Sequence, residues 1–168
     1  MSARIRVVDD HAASAEALAD VLRDEGFVVD VSHDPREALA ALSEQPADVL
    51  VTDLRMDGLD GVALMKAARQ VDPDLPVVVV TAYATVDRAI QATRAGAFAF
   101  VTKPLDPAAI TVQVRNAAAQ RTLRRVIAAS GPVIVGRSVA VLQALGAADR
   151  AARTDLPVLI TGESGTGK

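Results

Sequence analysis

The sequence contains no cysteine and no tryptophan, and only 2% of its 168 residues are aromatic. Without cysteine there is no disulfide framework and no thiolate metal site, which agrees with a reducing compartment. Hydrophobic residues make up 51% of the chain. With so few rings, the core has to be built from Val, Leu, Ile and Ala, which suits a helix-and-sheet protein with small side chains. Positive charge is also scarce, for the formal net charge is −3. No global positive field attracts a phosphate backbone and few rings can stack on bases, so DNA binding by this chain itself is not expected.

Long apolar runs are missing too. Arg4 and Arg6 are followed by only two valines before Asp9 and Asp10 interrupt, so no secretory signal is read there. The longest apolar run, Val77 to Val80, is far too short to span a bilayer. The reading is a soluble, cytoplasmic protein with no membrane partner. Domains commonly reach about 100–150 residues, so the length suits one well-buried domain plus a fragment of another.

The first hundred residues alternate short β-branched runs with amphipathic helical patterns, the signature of a parallel sheet covered on both faces. Five units are read, with strands at Arg4 to Val8, Val28 to Val31, Val49 to Thr52, Val77 to Thr81 and Ala99 to Val101. Ala17, Leu18, Val21 and Leu22 recur at helical spacing, and Asp34-Pro35-Arg36-Glu37 supplies an N-cap, a first-turn proline and a capping-box acid. A third helix is expected to start near Gly61, and a fourth to run over about 85–95 until Gly96 stops it.

A longer helical pattern covers about 106–129 and has two apolar faces. Ile110, Val114 and Ala117 are spaced to pack on the sheet, while Ala109, Val112, Asn116, Ala119, Leu123 and Val126 alternate steps of three and four, as in a heptad seam. The seam suggests a homodimer through this linker helix; a long surface helix with scattered alanines fits the same residues. Ser130-Gly131-Pro132 then breaks the pattern and a second α/β stretch begins.

Three carboxylates stand at predicted strand ends, Asp9 and Asp10 after the first and Asp53 after the third. Ligands of open parallel sheets bind beyond the carboxyl ends of the strands, so these residues can converge although far apart in sequence. Converging carboxylates repel, and a hard, oxygen-ligated cation such as Mg²⁺ resolves the repulsion while also holding phosphoryl oxygens. Thr81 ends the fourth strand and Lys103 follows the fifth, adding a hydroxyl donor and an ammonium. Together they complete a phosphoryl-transfer site with Asp53 as the nucleophile. Taken singly, Asp9-Asp10 reads as readily as a helix cap, Asp53 as a turn and Lys103 as a surface charge.

In order and spacing, Val8-Asp9-Asp10, Val51-Thr52-Asp53-Leu54-Arg55-Met56, Val80-Thr81-Ala82 and Phe100-Val101-Thr102-Lys103-Pro104 resemble a two-component receiver domain. The resemblance implies an α/β, flavodoxin-like (βα)5 fold with central parallel sheet order 2-1-3-4-5. It implies that a sensor histidine kinase phosphorylates Asp53, with Mg²⁺ held by Asp9, Asp10, Asp53 and the main-chain carbonyl of Arg55. Thr81 and Phe100 are implied to move together on phosphorylation, reshaping the face around the 85–95 helix and the fifth strand. Where the family often has proline just after the loop methionine, this chain has Asp57. A looser loop is therefore expected, and the Asp57 carboxylate either strengthens metal binding by its charge or, the favoured reading, lies on a solvated turn.

The last residues, Gly162-Glu163-Ser164-Gly165-Thr166-Gly167-Lys168, fit a phosphate-binding loop directly after an apolar run, an incomplete Walker A motif. With Val135-Gly136-Arg137-Ser138 and Val158-Leu159-Ile160-Thr161, they resemble the start of the AAA+ domain of sigma-54-dependent activators. The expected organisation is a receiver over 3–122, a receiver helix extended into a dimerisation linker over 106–130, and the truncated N-terminal part of an AAA+ sigma-54 interaction domain, an incomplete P-loop α/β fragment, over 131–168. ATP is implied only for a complete output domain, and sigma-54 RNA polymerase holoenzyme only for the full regulator. No ATP hydrolysis is expected of this chain. An ATP-binding protein with a structural first domain, or a receiver-shaped interaction module that is never phosphorylated, are the alternatives.

Overall fold

The computed structural model describes residues 2–82 and 95–129, together with 143, 144, 146 and 147. The chain divides into two compact units, Met1–Ala129 and Ser130–Lys168. The helix expected at 85–95, all but its last residue, and the phosphate-binding loop at 162–168 lie outside the described residues.

The first unit alternates strand and helix: β1 (Arg4–Val8), α1 (Ala12–Asp24), β2 (Val28–Ser32), α2 (Pro35–Glu44), β3 (Val49–Asp53), α3 (Gly61–Val71), β4 (Val77–Thr81), β5 (Ala99–Thr102) and α4 (Pro107–Ala129). The five strands form one parallel sheet in the order β2-β1-β3-β4-β5. Successive strand residues point to opposite faces, and both faces are covered, so the strands read as continuous apolar runs. Ile5, Val7, Val49, Val51, Val78 and Val80 pack with Leu18 and Leu22 of α1 and with Ile110, Val114 and Ala117 of α4. Leu50, Val77 and Val79 face the other way, onto Ala38 and Leu42 of α2 and Leu64, Met65 and Ala68 of α3.

The helices start where local chemistry stops the strands. Asp34 accepts the Arg36 N–H at 2.6 Å with Pro35 in the first turn, and Asp60 accepts the Ala63 N–H at 2.7 Å. Each bond satisfies a main-chain donor that has no partner inside the helix. The α1 N-cap is His11, which makes no side-chain cap bond, so the aspartates before it are left to other work. In three places the strands run one residue further than the sequence pattern gives: Ser32 still belongs to β2, Asp53 is the last residue of β3 rather than the residue after it, and Thr102 still belongs to β5. All three continue the parallel pairing, Ser32 opposite Val8, Asp53 opposite Val80 and Thr102 opposite Thr81.

Helix α4 shows both faces that its spacing predicts. Ile110, Val114 and Ala117 are fully buried on the sheet, whereas Val112, Leu123 and Val126 are exposed. Its later turns are fastened by charge. Arg121 pairs with Asp72, Arg124 with Asp74 at 3.0 Å and Arg125 with Asp48 at 2.6 Å. These aspartates precede β3 and β4, at the amino-terminal edge of the sheet. Among the described residues no helix is long and apolar enough to cross a membrane.

Candidate functional site

At the opposite, carboxyl edge of the sheet, β1, β3, β4 and β5 deliver Asp9, Asp53, Thr81 and Lys103 to one end of the molecule. Asp9 and Asp53 are buried, at 5% and 9% exposure. A buried carboxylate requires compensation, and here it comes from two sources. The Lys103 ammonium lies 2.8 Å from Oδ2 of Asp9 and 2.9 Å from Oδ1 of Asp53. The other oxygen of each accepts a main-chain N–H from two residues ahead, His11 on Asp9 Oδ1 at 2.9 Å and Arg55 on Asp53 Oδ2 at 2.7 Å.

Burial is the largest single influence on Lys103 and acts to lower its pKa. The hydrogen bonds to Asp9 and Asp53, with the charges of both carboxylates, outweigh it and hold the ammonium above the ordinary lysine value. Its main-chain N–H donates to the Thr81 carbonyl at 2.7 Å, which fixes the root of the side chain. The Lys103–Pro104 peptide bond is cis.

Asp10 is more open than its neighbour. Its Oδ2 accepts the main-chain N–H of Asp57 at 3.0 Å, and its Oδ1 lies 3.6 Å from Nδ1 of His11. Asp9, Asp10 and His11 each offer a ligand atom, all within 4.8 Å of one another. Both histidines of the chain flank this cluster, for Nδ1 of His33 lies 3.2 Å from the Asp9 carbonyl oxygen. From sequence, His11 reads as an exposed helix-start residue rather than a metal ligand, and His33 carries no signal.

The loop after β3 is braced, contrary to the looseness expected in the absence of proline. Met56 is buried, Gly61 N–H donates to the Leu54 carbonyl at 3.0 Å, and Leu59 N–H donates to the Asp57 carbonyl at 3.1 Å. Gly58 supplies the positive φ, 85°, that lets the chain turn there. Gly61 permits the closest approach, since a Cβ at that position would collide with the main-chain carbonyl of Asp53. The Asp57 side chain is exposed, as a solvated turn requires.

Thr81 is buried at the end of β4, and Phe100, half-buried, packs against the α3-side core. An apolar groove of about 300 Å³ adjoins Lys103, lined by Ala17, Leu18 and Val21 of α1 and by Pro104, Leu105 and Ile110.

Residues 5–115 match the model of the response regulator receiver domain, and residues 134–168 match that of the sigma-54 interaction domain. The DNA-binding transcriptional regulator NtrC of Salmonella typhimurium is 36% identical over 167 residues, covering 96% of this chain and 36% of that protein. Among solved structures, NtrX from Brucella abortus superposes with a TM-score of 0.73 at 32% identity, over 99% of this chain and 38% of that one. A receiver domain protein from Clostridium thermocellum superposes with a TM-score of 0.68 at 27% identity, over 72% of this chain and 98% of that one. The chain thus spans little more than a third of the curated relative it matches. By the receiver match across 5–115, in a five-stranded sheet of order 2-1-3-4-5, the chain belongs to the response regulator family.

Proposed function

We propose that Asp53 accepts a phosphoryl group from a sensor histidine kinase and that the change is relayed to a sigma-54-dependent output. The observation that carries this reading is Lys103 bridging Asp9 and Asp53 at 2.8 and 2.9 Å. An ammonium held above its ordinary pKa between two buried carboxylates stays charged at neutral pH, ready to pair with a phosphoryl oxygen.

Three carboxylates against one ammonium leave the pocket formally two negative charges from neutrality, the charge that a single divalent cation carries. The hard oxygen donors of Asp9 and Asp10, which lie together with His11, fit Mg²⁺, and Asp53 and the Arg55 carbonyl would complete the set that the family resemblance implies. Bound there, Mg²⁺ would neutralise charge on the transferred group and on the acceptor.

Asp53 supplies the electron pair: an oxygen–phosphorus bond forms as the bond from phosphorus to the donor's imidazole nitrogen breaks, and the nitrogen keeps its electrons. The Arg55 N–H and Lys103 orient the Asp53 carboxylate for this attack. Thr81 donates to the new phosphoryl group, and Phe100, at the edge of the core, follows it inward. The groove beside Lys103 gives a donor protein a surface on which to align.

For the output, the exposed seam of α4 supports a homodimer, in which phosphorylation biases the packing. The match at 134–168 supports control of an ATP-dependent activator of sigma-54 polymerase in the longer protein, with the receiver as its regulatory part. Intact mass after incubation with Mg²⁺ and acetyl phosphate tests the chemistry. A single phosphoryl adduct on the wild type and none on Asp53→Asn is expected; an adduct retained by the variant would sink the assignment.

A further inference from the structure

The turn after β1 carries more than two acids. His11 follows them as the N-cap of α1, yet its side chain makes no cap bond. Its ring lies beside the acids instead, with Nδ1 3.6 Å from Oδ1 of Asp10. Asp9 offers an oxygen to the same cluster, the three ligand atoms all lying within 4.8 Å of one another. Mg²⁺ takes oxygen donors and gives up its waters reluctantly, so an imidazole adds nothing to its hold. The phosphoryl transfer proposed above leaves His11 without a part.

We infer that His11 gives this turn a second metal preference: its imidazole joins the carboxylates of Asp10 and Asp9 to hold Zn²⁺, in competition with Mg²⁺ for Asp10. The competition, though not the zinc site itself, rests on the cation-assisted reading above. Lys103 pairs with Asp9 and Asp53 rather than with Asp10, so Asp10 is the acid with most to gain from a cation. An ion seated between Asp10 and His11 occupies the oxygen that Mg²⁺ needs, and phosphorylation of the receiver falls where zinc is present.

Spacing and donor type point the same way. Adjacent ligands about 2.1 Å from an octahedral ion stand about 3.0 Å apart, whereas a tetrahedral ion spreads them to about 3.4 Å. The 3.6 Å between Asp10 and His11 lies nearer the tetrahedral value, the geometry of Zn²⁺. Imidazole nitrogen suits Zn²⁺, while oxygen-only sets suit Mg²⁺. Three protein ligands leave one tetrahedral position for water. The chain has no cysteine and only two histidines, so few other places in it suit this ion. The His11 side chain is 84% exposed, and replacing it unpacks nothing.

The test uses the full chain and measures Zn²⁺ and Mg²⁺ affinity by calorimetry for the wild type, His11→Ala and His33→Ala. His11→Ala is expected to bind Zn²⁺ at least about tenfold more weakly and Mg²⁺ within about twofold of wild type, because only the first ion uses the imidazole. His33→Ala is expected to keep both affinities. A wild type that binds no Zn²⁺, or a His11→Ala that binds it as tightly as wild type, would overturn the inference. An equal loss in the two variants would show zinc held by scattered histidines and overturn it as well.

Resonances of the His11 ring give a second readout. They should move on addition of Zn²⁺ and stay in place on addition of Mg²⁺; a ring that ignores Zn²⁺ would overturn the inference independently. Excess Mg²⁺ should weaken the apparent Zn²⁺ affinity of the wild type, and an affinity indifferent to Mg²⁺ would overturn the competition. A wild type that binds Zn²⁺ through His11 but binds no Mg²⁺ would instead refute the cation reading and leave the zinc site standing.

Discussion

Nζ of Lys103 lies 2.9 Å from Oδ1 of Asp53 although their strands, β5 and β3, are separated by β4. The side chain crosses the end of β4, rooted by its own N–H on the Thr81 carbonyl. Ion pairing of this kind spans the site and replaces solvent as the counter-charge for two buried acids.

Lys103→Met leaves those carboxylates without a counter-charge, held only by their main-chain N–H partners. We expect a loss of about 2 kcal/mol, below the 3–5 typical of a fully buried pair because water reaches the lysine. Urea unfolding with and without Mg²⁺ should show that the cation stabilises the variant more than the wild type. The pKa of Lys103 is raised on folding, so its contribution is complete below the ordinary value of 10.5 and is lost as pH climbs through the higher folded value. The stabilities of wild type and variant should converge in that alkaline range.

Gly61→Ala places a methyl group against the Asp53 carbonyl, with backbone on both sides and no flexible side chain to yield. A destabilisation of about 2–3 kcal/mol follows from overpacking of this kind. Because the collision is at the residue proposed as the acceptor, the rate of phosphorylation by acetyl phosphate should fall as well. Thermal unfolding and the time course of adduct formation measure the two effects separately.

The Arg121 guanidinium beside Asp72 holds that carboxyl below the usual aspartate range, chiefly through their hydrogen bond. A depressed folded pKa gives stability that is present above the unfolded value, about 3.8, and is lost as pH falls through the folded one. Asp72→Asn should therefore be less stable than wild type at neutral pH, and the gap should close in strong acid. Melting temperatures between pH 2 and 7, a range of about five units set by carboxylate titration, would show it.

Leu123 and Val126 are 59% and 57% exposed and contribute nothing to the receiver core. Charging both, as in Leu123→Glu with Val126→Glu, should leave unfolding stability within about 0.5 kcal/mol of wild type at protein concentrations too low for the dimer to form. Sedimentation should show the wild type as a dimer and the double variant as a monomer. A wild type that sediments as a monomer at high concentration would count against the seam.

The parts of the site written in side-chain type and position were legible in the sequence. Asp9, Asp10, Asp53, Thr81 and Lys103 each follow or end an apolar run, and parallel strands bring such positions to one edge whatever their separation along the chain. The buried stripe Ile110, Val114 and Ala117 was legible for the same reason, since period alone defines it.

What escaped the sequence is made of main chain or of long-range charge. The Asp57 N–H bond to Asp10 leaves no mark on residue type, because nearly every residue has the same donor. Gly61 reads as a helix start, and only the packed loop shows that its missing Cβ makes room for Asp53. The ion pairs of Arg121, Arg124 and Arg125 join α4 to loops some fifty or more residues away, and surface arginines carry no address.

Those arginines also decide where the receiver can be severed. The family match ends at residue 115, but α4 remains fastened to Asp72, Asp74 and Asp48 as far as Arg125. A fragment cut at 115 would leave three aspartates at one edge of the sheet with these counter-charges removed. A splice placed after residue 125 keeps each acid neutralised, so chimaeras that graft this sensor onto a foreign output should be joined there.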